Sequence, residues 1–332
     1  MKIVIDSDIP YIRGVWEPFA EVVYLPGDAI SAADVKDADA LIVRTRTRCN
    51  KALLEGSCVK VVATATIGTD HIDLEWCAAN GVRVESAAGC NARGVLQWVS
   101  AVLAVLCRER EPQTLTLGVV GVGHVGSLVA DYAQSWGFRV LRCDPPRSRA
   151  EGPEGFTSFD EVLSQSDILT LHVPFTREGS DPTANLINSA AIELLQPDTL
   201  VLNSSRGGVV DEQALLASGH RFALDTWMNE PDIDSRVLER ALLATPHIAG
   251  YSRQGKATAT RMACEAVARV LGVEVEFRSP VEPTIPWAIS WQEMCTRMGE
   301  YFDIEAQSQA LKASPHKFEQ MRNNYNYRQE FF

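Results

Sequence analysis

Three short segments in the second half of the chain carry residues that could together oxidise a hydroxyl group. Arg206 follows the apolar run at 199–203 and precedes two glycines, so it could hold a carboxylate in a two-bond fork. Glu230 precedes a proline, and His247 follows one. A histidine that a carboxylate orients is suited to general acid/base work near neutral pH. Each residue alone could belong to a surface or a turn, but together they predict proton transfer on a substrate that carries a carboxylate.

A glycine-rich segment upstream supplies the redox half of this chemistry. An apolar run at 115–120 leads into Gly121, Gly123 and Gly126, and a second run ends at Asp144. This is the layout of a strand, turn, helix and strand that bind a dinucleotide, with the phosphates at the helix N-terminus. A carboxylate at Asp144 would accept hydrogen bonds from the ribose hydroxyls and repel a 2′-phosphate. The sequence therefore predicts NAD, and with the acid/base residues it predicts oxidation of a 2-hydroxy acid.

Composition narrows the classes of protein that remain. The chain has 332 residues, of which 46% are hydrophobic and 22% charged, and its formal net charge is −12. This balance favours a folded two-domain protein and argues against a nucleic-acid partner. No signal-like start or membrane-length apolar run is present, so we expect a cytoplasmic protein without a membrane partner. Eight cysteines without a Cys-x-x-Cys spacing are interpreted as reduced and mostly packed, with no metal site.

The elements that must position these residues alternate between strand-like and helix-like patterns. In the first part, strands are predicted at 2–5, 21–25, 40–43, 59–63 and 82–84. In the second part they are predicted at 115–120, 138–143, 168–173, 199–203 and 221–225. Helices are predicted between the strands and at 91–108, 254–271 and 290–301. The fold class is therefore α/β, with two open parallel sheets, of which the second is a doubly wound Rossmann sheet.

The order of these elements predicts how the chain divides. Residues 1–90 and 253–277 should form a flavodoxin-like substrate domain, and 91–252 an inserted NAD-binding domain. Residues 278–332 are richer in Pro, Trp and Met and are set apart as a C-terminal segment.

Two loops that follow strands of the first sheet are candidates for substrate binding. Arg44 and Thr45 follow one strand, and Thr66 follows another. Ligands of open α/β sheets bind at the carboxyl ends of the strands, so these hydroxyl and guanidinium groups suit an anionic or phosphorylated substrate. The alternative is a solvated basic loop and a threonine-rich turn, and His71 is interpreted as structural.

The order of the motifs resembles the D-isomer-specific 2-hydroxyacid dehydrogenases. The resemblance is carried by the glycine segment, the Asn-Ser-Ser-Arg-Gly segment at 203–207, Asn-Glu-Pro at 229–231 and Pro-His-Ile-Ala-Gly at 246–250. Further motifs between residue 1 and about 275, and again at 318–325, are similar to a subgroup that acts on a small phosphorylated 2-hydroxy acid. The resemblance implies that Arg206, Glu230 and His247 are catalytic and that the C-terminal segment forms a homodimer.

The resemblance also assigns binding residues. Cofactor contacts are expected from Gly121, Gly123, His124, Val125, Gly126, Asp144, Val173, Asp225 and Gly250. Substrate contacts are expected from Arg44, Thr45, Thr66 and Tyr251. Three of these depart from the family pattern, since Thr45 replaces a usual serine, His124 a common asparagine and Val173 a frequent threonine.

Three alternatives remain open at this point. The substrate could instead be glycerate, 3-phosphoglycerate or hydroxypyruvate, or the chain could be an NAD-sensing protein that resembles a corepressor. In the tail, Lys317, Arg322 and Arg328 are interpreted as a solvated surface, with contact to a neighbouring subunit's phosphate site as the alternative.

Overall fold

The structure is a computed structural model that describes residues 1–284 and 288–332. The chain forms two compact units. One contains Met1–Asn91 and Ser252–Thr284, and the other contains Ala92–Tyr251 together with the described residues from 288 onward. Each unit is built around one parallel sheet. The two predicted parallel sheets are therefore confirmed.

The sheet of the first unit has five strands in the order β2-β1-β3-β4-β5. The strands are β1 Lys2–Asp6, β2 Glu21–Leu25, β3 Ala40–Val43, β4 Val61–Thr64 and β5 Arg83–Ser86. The helices that alternate with them are α1 Ala32–Val35, α2 Lys51–Leu54 and α3 Leu74–Ala79. Every residue of β3 and β4 is buried, as expected for central parallel strands that are covered on both faces.

The second unit carries the predicted doubly wound sheet, with six parallel strands in the order β11-β10-β9-β8-β6-β7. The strands are β6 Thr116–Val120, β7 Arg139–Cys143, β8 Ile168–Leu171, β9 Leu200–Asn203, β10 Arg221–Leu224 and β11 Leu243–Ala244. The helices up to β11 are α4 Ala92–Leu106, α5 His124–Ser135, α6 Pro145–Glu151, α7 Phe159–Gln165, α8 Ser189–Glu193, α9 Glu212–Ser218 and α10 Ser235–Arg240. A short 3₁₀ turn, Pro112–Thr114, precedes β6.

After β11 the chain returns to the first unit as the long helix α11, Arg253–Leu271. Its apolar face, with Ala259, Ala263 and Val267, is buried in the core of the first sheet. The helix begins at the cap Ser252, whose hydroxyl accepts a hydrogen bond from Gly255 N, and ends at Gly272 in the left-handed conformation. The first unit therefore takes part of its core from residues far along the chain.

The C-terminal residues pack within the second unit. They form α12 Trp291–Tyr301, α13 Ile304–Ala313, a 3₁₀ turn Pro315–Lys317 and α14 Phe318–Asn323. α12 packs on α4, and α13 packs beside β11, where the Ser308 hydroxyl accepts a hydrogen bond from Ala244 N at 3.0 Å. The sequence set residues 278–332 apart, whereas 288–332 share the core of the predicted NAD-binding domain. Dimerisation through this segment stays a prediction.

Five elements were not predicted from the sequence: α6, α10, β11, α13 and α14. α6 has no buried residue and β11 has two residues, so neither leaves an apolar period in the sequence. None of the eight cysteines, all of them among the described residues, forms a disulfide, and five of them are buried. Among the described residues, no helix is long and apolar enough to cross a membrane.

Candidate active site

The topology of the second unit brings the predicted catalytic segments to one edge of the sheet. Arg206 follows β9, Glu230 follows β10 and His247 follows β11. These three strands are parallel neighbours, so their carboxyl ends lie side by side. The glycine segment, Asp144 and Val173 follow β6, β7 and β8 at the same edge. Every strand of the sheet therefore ends in a residue that the sequence assigned to the site.

His247 and Glu230 form the central pair of this edge. The distance from His247 Nδ1 to Glu230 Oε2 is 2.7 Å, and Glu230 Oε1 accepts a hydrogen bond from Trp227 N at 2.9 Å. Burial alone would raise the pKa of Glu230, but the bond to His247 and the Trp227 N–H hold that pKa below its usual value. An ionised carboxylate can only accept, so His247 donates from Nδ1 and leaves Nε2 as the acceptor. This arrangement orients a general base.

Asp225 holds the backbone on which His247 is carried. Its carboxylate is buried and accepts hydrogen bonds from the Thr245 hydroxyl at 2.6 Å, Ile248 N at 2.8 Å and Ala249 N at 2.9 Å. Its carbonyl accepts a further bond from His247 N at 2.8 Å. Burial raises the pKa of Asp225. The side chain thus clamps the 245–249 segment, and its predicted contact with NAD stays a prediction.

Arg206 lies in a glycine-flanked loop after β9. Its Nη1 donates to Ser205 O at 2.8 Å, and Asn203 Nδ2 donates to Arg206 O at 2.9 Å. Gly207 packs against the next loop so closely that a Cβ there would lie 1.9 Å from Trp227 O. Among the described residues no carboxylate forms an ion pair with Arg206. Its charge therefore suits the carboxylate of a ligand.

The glycine segment fits the phosphates of a dinucleotide. Gly121 has φ +84°, and a Cβ on Gly126 would lie 1.9 Å from Gly121 O, so both glycines are required by the local packing. Gly123 is different, because nothing lies within 4 Å of the place its Cβ would occupy. It forms the N-cap of α5, and the first N–H groups of a helix have no partner within the helix and can bind an anion. The residues present therefore match the predicted NAD site.

Replacing Gly123 with alanine should weaken NADH binding by about tenfold while leaving the free energy of unfolding of the ligand-free protein unchanged. The added methyl group meets only open space in the protein but lies where the pyrophosphate must approach. Fluorescence titration with NADH and urea denaturation measure the two effects. Gly299→Ala, on the exposed surface of α12, is the matched control. Unchanged NADH affinity in Gly123→Ala would contradict the predicted site.

The other predicted cofactor residues lie around this loop or at the same edge. Asp144 Oδ2 accepts from Val122 N at 2.8 Å, and Oδ1 accepts from Arg147 N at 3.0 Å, so Asp144 joins the glycine loop to the start of α6. Arg147 also donates to Val122 O. The remaining predicted cofactor residues are placed as follows: Val173 beside Gly121, His124 exposed and Val125 half-buried on the first turn of α5, and Gly250 half-buried against Gly94. Their contacts with NAD stay predictions.

The predicted substrate loops of the first unit follow β3 and β4. Thr45 is exposed, and the Thr66 hydroxyl lies 2.6 Å from the Thr64 hydroxyl. Arg44 is paired on both sides, with Nε 3.3 Å from Asp6 Oδ2 and Nη2 2.9 Å from Asp8 Oδ2. Two carboxylates therefore compensate the positive charge of Arg44, which the sequence analysis predicted to bind an anionic ligand. Contact of Arg44 with substrate stays a prediction.

Sequence reasoning missed a second carboxylate that shapes the catalytic loop. Glu212, at the start of α9, is buried, and its Oε1 accepts a hydrogen bond from Met228 N at 2.6 Å. Burial raises the pKa of Glu212 to about 7. Glu212 and Glu230 thus bind the neighbouring N–H groups of Met228 and Trp227. An acidic residue in the first turn of a predicted helix is common, so the sequence carried no signal for this contact.

The tail corrects the interpretation of Arg322 and Arg328 as solvated surface. Arg328 is 7% exposed and donates to the carbonyl oxygens of Ile248 at 3.0 Å and Tyr251 at 3.1 Å. Arg322 Nε donates to the Tyr251 hydroxyl at 3.3 Å. Both arginines lie against the segment that follows His247. Lys317 is exposed, as expected.

A Rossmann sheet whose edge combines a dinucleotide loop, an arginine and a histidine–glutamate pair is typical of NAD-dependent 2-hydroxyacid dehydrogenases. Comparisons with known proteins agree. Residues 97–249 match the family model described as D-isomer specific 2-hydroxyacid dehydrogenase, NAD binding domain. Among solved structures, D-lactate dehydrogenase from Aquifex aeolicus in complex with NAD and lactic acid has a TM-score of 0.65 and 26% identity, covering 81% of this chain and 96% of that one.

Curated relatives narrow the family. An erythronate-4-phosphate dehydrogenase from Bacteroides thetaiotaomicron is 42% identical over 339 residues, covering 99% of this chain and 97% of the relative. Another from Porphyromonas gingivalis is 39% identical over 348 residues, covering 99% and 94%. The chain therefore belongs to the erythronate-4-phosphate dehydrogenase family of D-isomer-specific 2-hydroxyacid dehydrogenases. The predicted cofactor class, NAD, is confirmed.

Proposed function

We propose that this protein oxidises 4-phospho-D-erythronate at C2 to 3-hydroxy-2-oxo-4-phosphooxybutanoate, with NAD⁺ as the oxidant. The observation that carries the chemistry is the 2.7 Å pair of His247 Nδ1 and Glu230 Oε2 at the carboxyl edge of a dinucleotide-binding sheet. The substrate is inferred from the names of the relatives and from motifs that span most of the chain.

His247 Nε2 takes the proton of the C2 hydroxyl. Glu230 stabilises the imidazolium that forms, because its carboxylate already accepts the proton on Nδ1. Asp225 keeps the imidazole in place by clamping the backbone around it. When bound, NAD⁺ accepts the hydride that leaves C2, so the oxidation is balanced by one proton and one hydride.

Arg206 binds the substrate carboxylate through two parallel hydrogen bonds and so fixes the adjacent C2. A lysine cannot make this fork, although it keeps the charge. We therefore expect Arg206→Lys to lower kcat/KM by about 10²-fold with little effect on NADH affinity. Steady-state kinetics and NADH titration measure the two quantities. An Arg206→Lys variant with wild-type kcat/KM would contradict the assignment.

Three predicted residues are assigned to substrate binding. Thr45, Thr66 and Tyr251 each supply a hydroxyl for hydroxyl or phosphate oxygens of the substrate. Arg44, although paired with Asp6 and Asp8, binds the substrate phosphate through its charged guanidinium group. On this proposal, Arg44→Met raises KM for a phosphorylated 2-hydroxy acid more than for an unphosphorylated one.

The deciding experiment compares 4-phosphoerythronate with glycerate, 3-phosphoglycerate and hydroxypyruvate. The three hydroxy acids are assayed by their oxidation, and hydroxypyruvate is assayed by its reduction. A 2-oxo acid is included as electron acceptor for the oxidations. The proposal expects the highest kcat/KM for 4-phosphoerythronate. A higher value for one of the others would assign the chain to a related dehydrogenase activity. Tight NADH binding without turnover of any acid would instead favour an NAD-sensing role.

We also infer a place in vitamin B6 biosynthesis, in the cytoplasm, as a homodimer that binds neither nucleic acid nor membrane. Eight cysteines without a disulfide among them, all in the described part of the chain, are in keeping with a reducing compartment. Light scattering of the purified protein tests the dimer.

A further inference from the structure

We propose that Arg322 is a positioning residue of the catalytic site, which links the carboxylate of Glu230 to the hydroxyl of Tyr251 and thereby orients both. This inference rests on the proposed function for its kinetic consequences, but its main test needs no substrate.

The geometry of Arg322 carries the proposal. Its Nη1 lies 3.8 Å from Glu230 Oε2, the same oxygen that binds His247 Nδ1. Its Nε donates to the Tyr251 hydroxyl at 3.3 Å. One guanidinium therefore contacts the Glu230 carboxylate on one side and, on the other, the hydroxyl of Tyr251, a residue predicted to contact the substrate.

The helix that carries Arg322 is held in place independently of these contacts. Phe318, at the start of α14, is 1% exposed and belongs to the core on one face of the second sheet, against which Met321 also packs. Upstream, Leu311 of α13 is fully buried in the same core. A side chain fixed by its own helix can orient its partners, whereas a mobile surface arginine would contribute little.

Both partners of Arg322 have restricted surroundings. The side chain of Glu230 is 17% exposed and that of Arg322 is 30% exposed. The Tyr251 ring packs against Tyr325 and Tyr327, with centroid distances of 6.2 Å and 5.9 Å. An ion pair in such surroundings is screened less than one on the surface. Loss of Arg322 should therefore affect the site more than loss of an exposed cation.

The charge of Arg322 also bears on the proton affinity of His247. The charged or titratable groups packed around His247 are Glu230 and Asp225 from the β10 end, Glu212 from α9, Tyr251 from its own segment and Arg322 from α14. Arg328 of the tail is a second cation nearby, but it binds the carbonyl oxygens of Ile248 and Ala249, whereas Arg322 is the cation paired with Glu230. Removing its charge leaves Glu230 less compensated, which favours the imidazolium that forms on His247.

The test follows the six histidines of the ligand-free protein by NMR titration, with the His247 signal assigned by its loss in His247→Asn. Arg322→Met should raise the pKa of His247 by about one unit. Arg322→Lys, which keeps the charge, should restore it to near the wild-type value. Lys317→Met removes an exposed cation from the same part of the tail and should have no effect. Arg322→Gln replaces Arg322→Met if the methionine variant fails to fold.

Kinetics provide a second readout. The acidic limb of the kcat/KM profile should move to higher pH in Arg322→Met, so that activity recovers as pH rises, whereas a merely structural defect would lower kcat/KM at every pH. An unchanged His247 titration in a folded Arg322→Met protein would overturn the proposal. A wild-type protein without turnover would contradict the proposed function, while the NMR titration would still decide the role of Arg322.

Discussion

Replacing His247 with alanine is expected to lower turnover by about 10²- to 10⁴-fold, the effect typical of a lost general acid/base. The imidazole is the group placed to take the hydroxyl proton, and Glu230 holds its Nδ1 at 2.7 Å. Steady-state rates with 4-phosphoerythronate and NAD⁺ measure the loss. NADH affinity should be nearly unchanged, because among the described residues the His247 side chain forms no hydrogen bond with the glycine loop.

Two further variants separate chemistry from backbone effects. His247 has φ +56°, a conformation that asparagine adopts more readily than alanine, so His247→Asn removes the base with less strain. It should be as inactive as the alanine variant. His316→Ala, at an exposed position in the tail, is the control and should keep wild-type turnover. Near-normal turnover in His247→Asn would refute the assignment of the base.

The second large effect is expected on stability. Arg328→Met should lower the free energy of unfolding by about 3 kcal/mol, since it removes several charge-assisted hydrogen bonds and leaves buried carbonyl groups unpaired. Arg328 Nη1 donates to Ile248 O and Tyr251 O, while Nη2 donates to Gly94 O at 2.7 Å and to Ala249 O. The guanidinium also lies 4.3 Å from the centroid of Phe302.

Urea denaturation followed by tryptophan fluorescence measures this loss. Arg110→Met, an exposed change in the same unit, should alter the free energy of unfolding by less than about 0.5 kcal/mol. Because Arg328 binds the backbone just after His247, Arg328→Met should also lower kcat under conditions where the protein remains folded. A variant with wild-type stability would show that the four carbonyl groups find other partners.

Much of the fold could be predicted because its strands and long helices carry strong local patterns. The predicted run at 115–120 is β6, Thr116–Val120, and the predicted helix at 254–271 is α11, Arg253–Leu271. β6 is buried along its whole length and α11 has 19 residues, so both segments carry a sequence pattern strong enough to identify them. β11 has two residues, and only its pairing with β10 identifies it.

The candidate site likewise contains residues that the sequence predicts and residues that it does not. His247 and Glu230 follow strands in short motifs, so their meeting could be expected from topology alone, and the structure brings them together. Arg322 and Arg328 also contact the segment after His247, although they lie far along the chain from it. Arg322 is 71 positions after its partner Tyr251, and Arg328 is 80 positions after its partner Ile248. No local pattern encodes such a contact, and an arginine near a C terminus is usually solvated. The tail residues were therefore misinterpreted.

The return of the chain through α11 has a consequence for folding during synthesis. The first sheet is translated before Asn91, but Ala263 and Val267 of its core follow the 160 residues of Ala92–Tyr251. At about 5–20 residues per second, the ribosome needs roughly 8 to 32 s to make that insert. During this interval the nascent first sheet exposes an apolar face that a chaperone could bind. By the end of this interval all six strands of the second unit have been made, while α12, α13 and α14 are still to be translated, so we expect folding to be completed out of chain order.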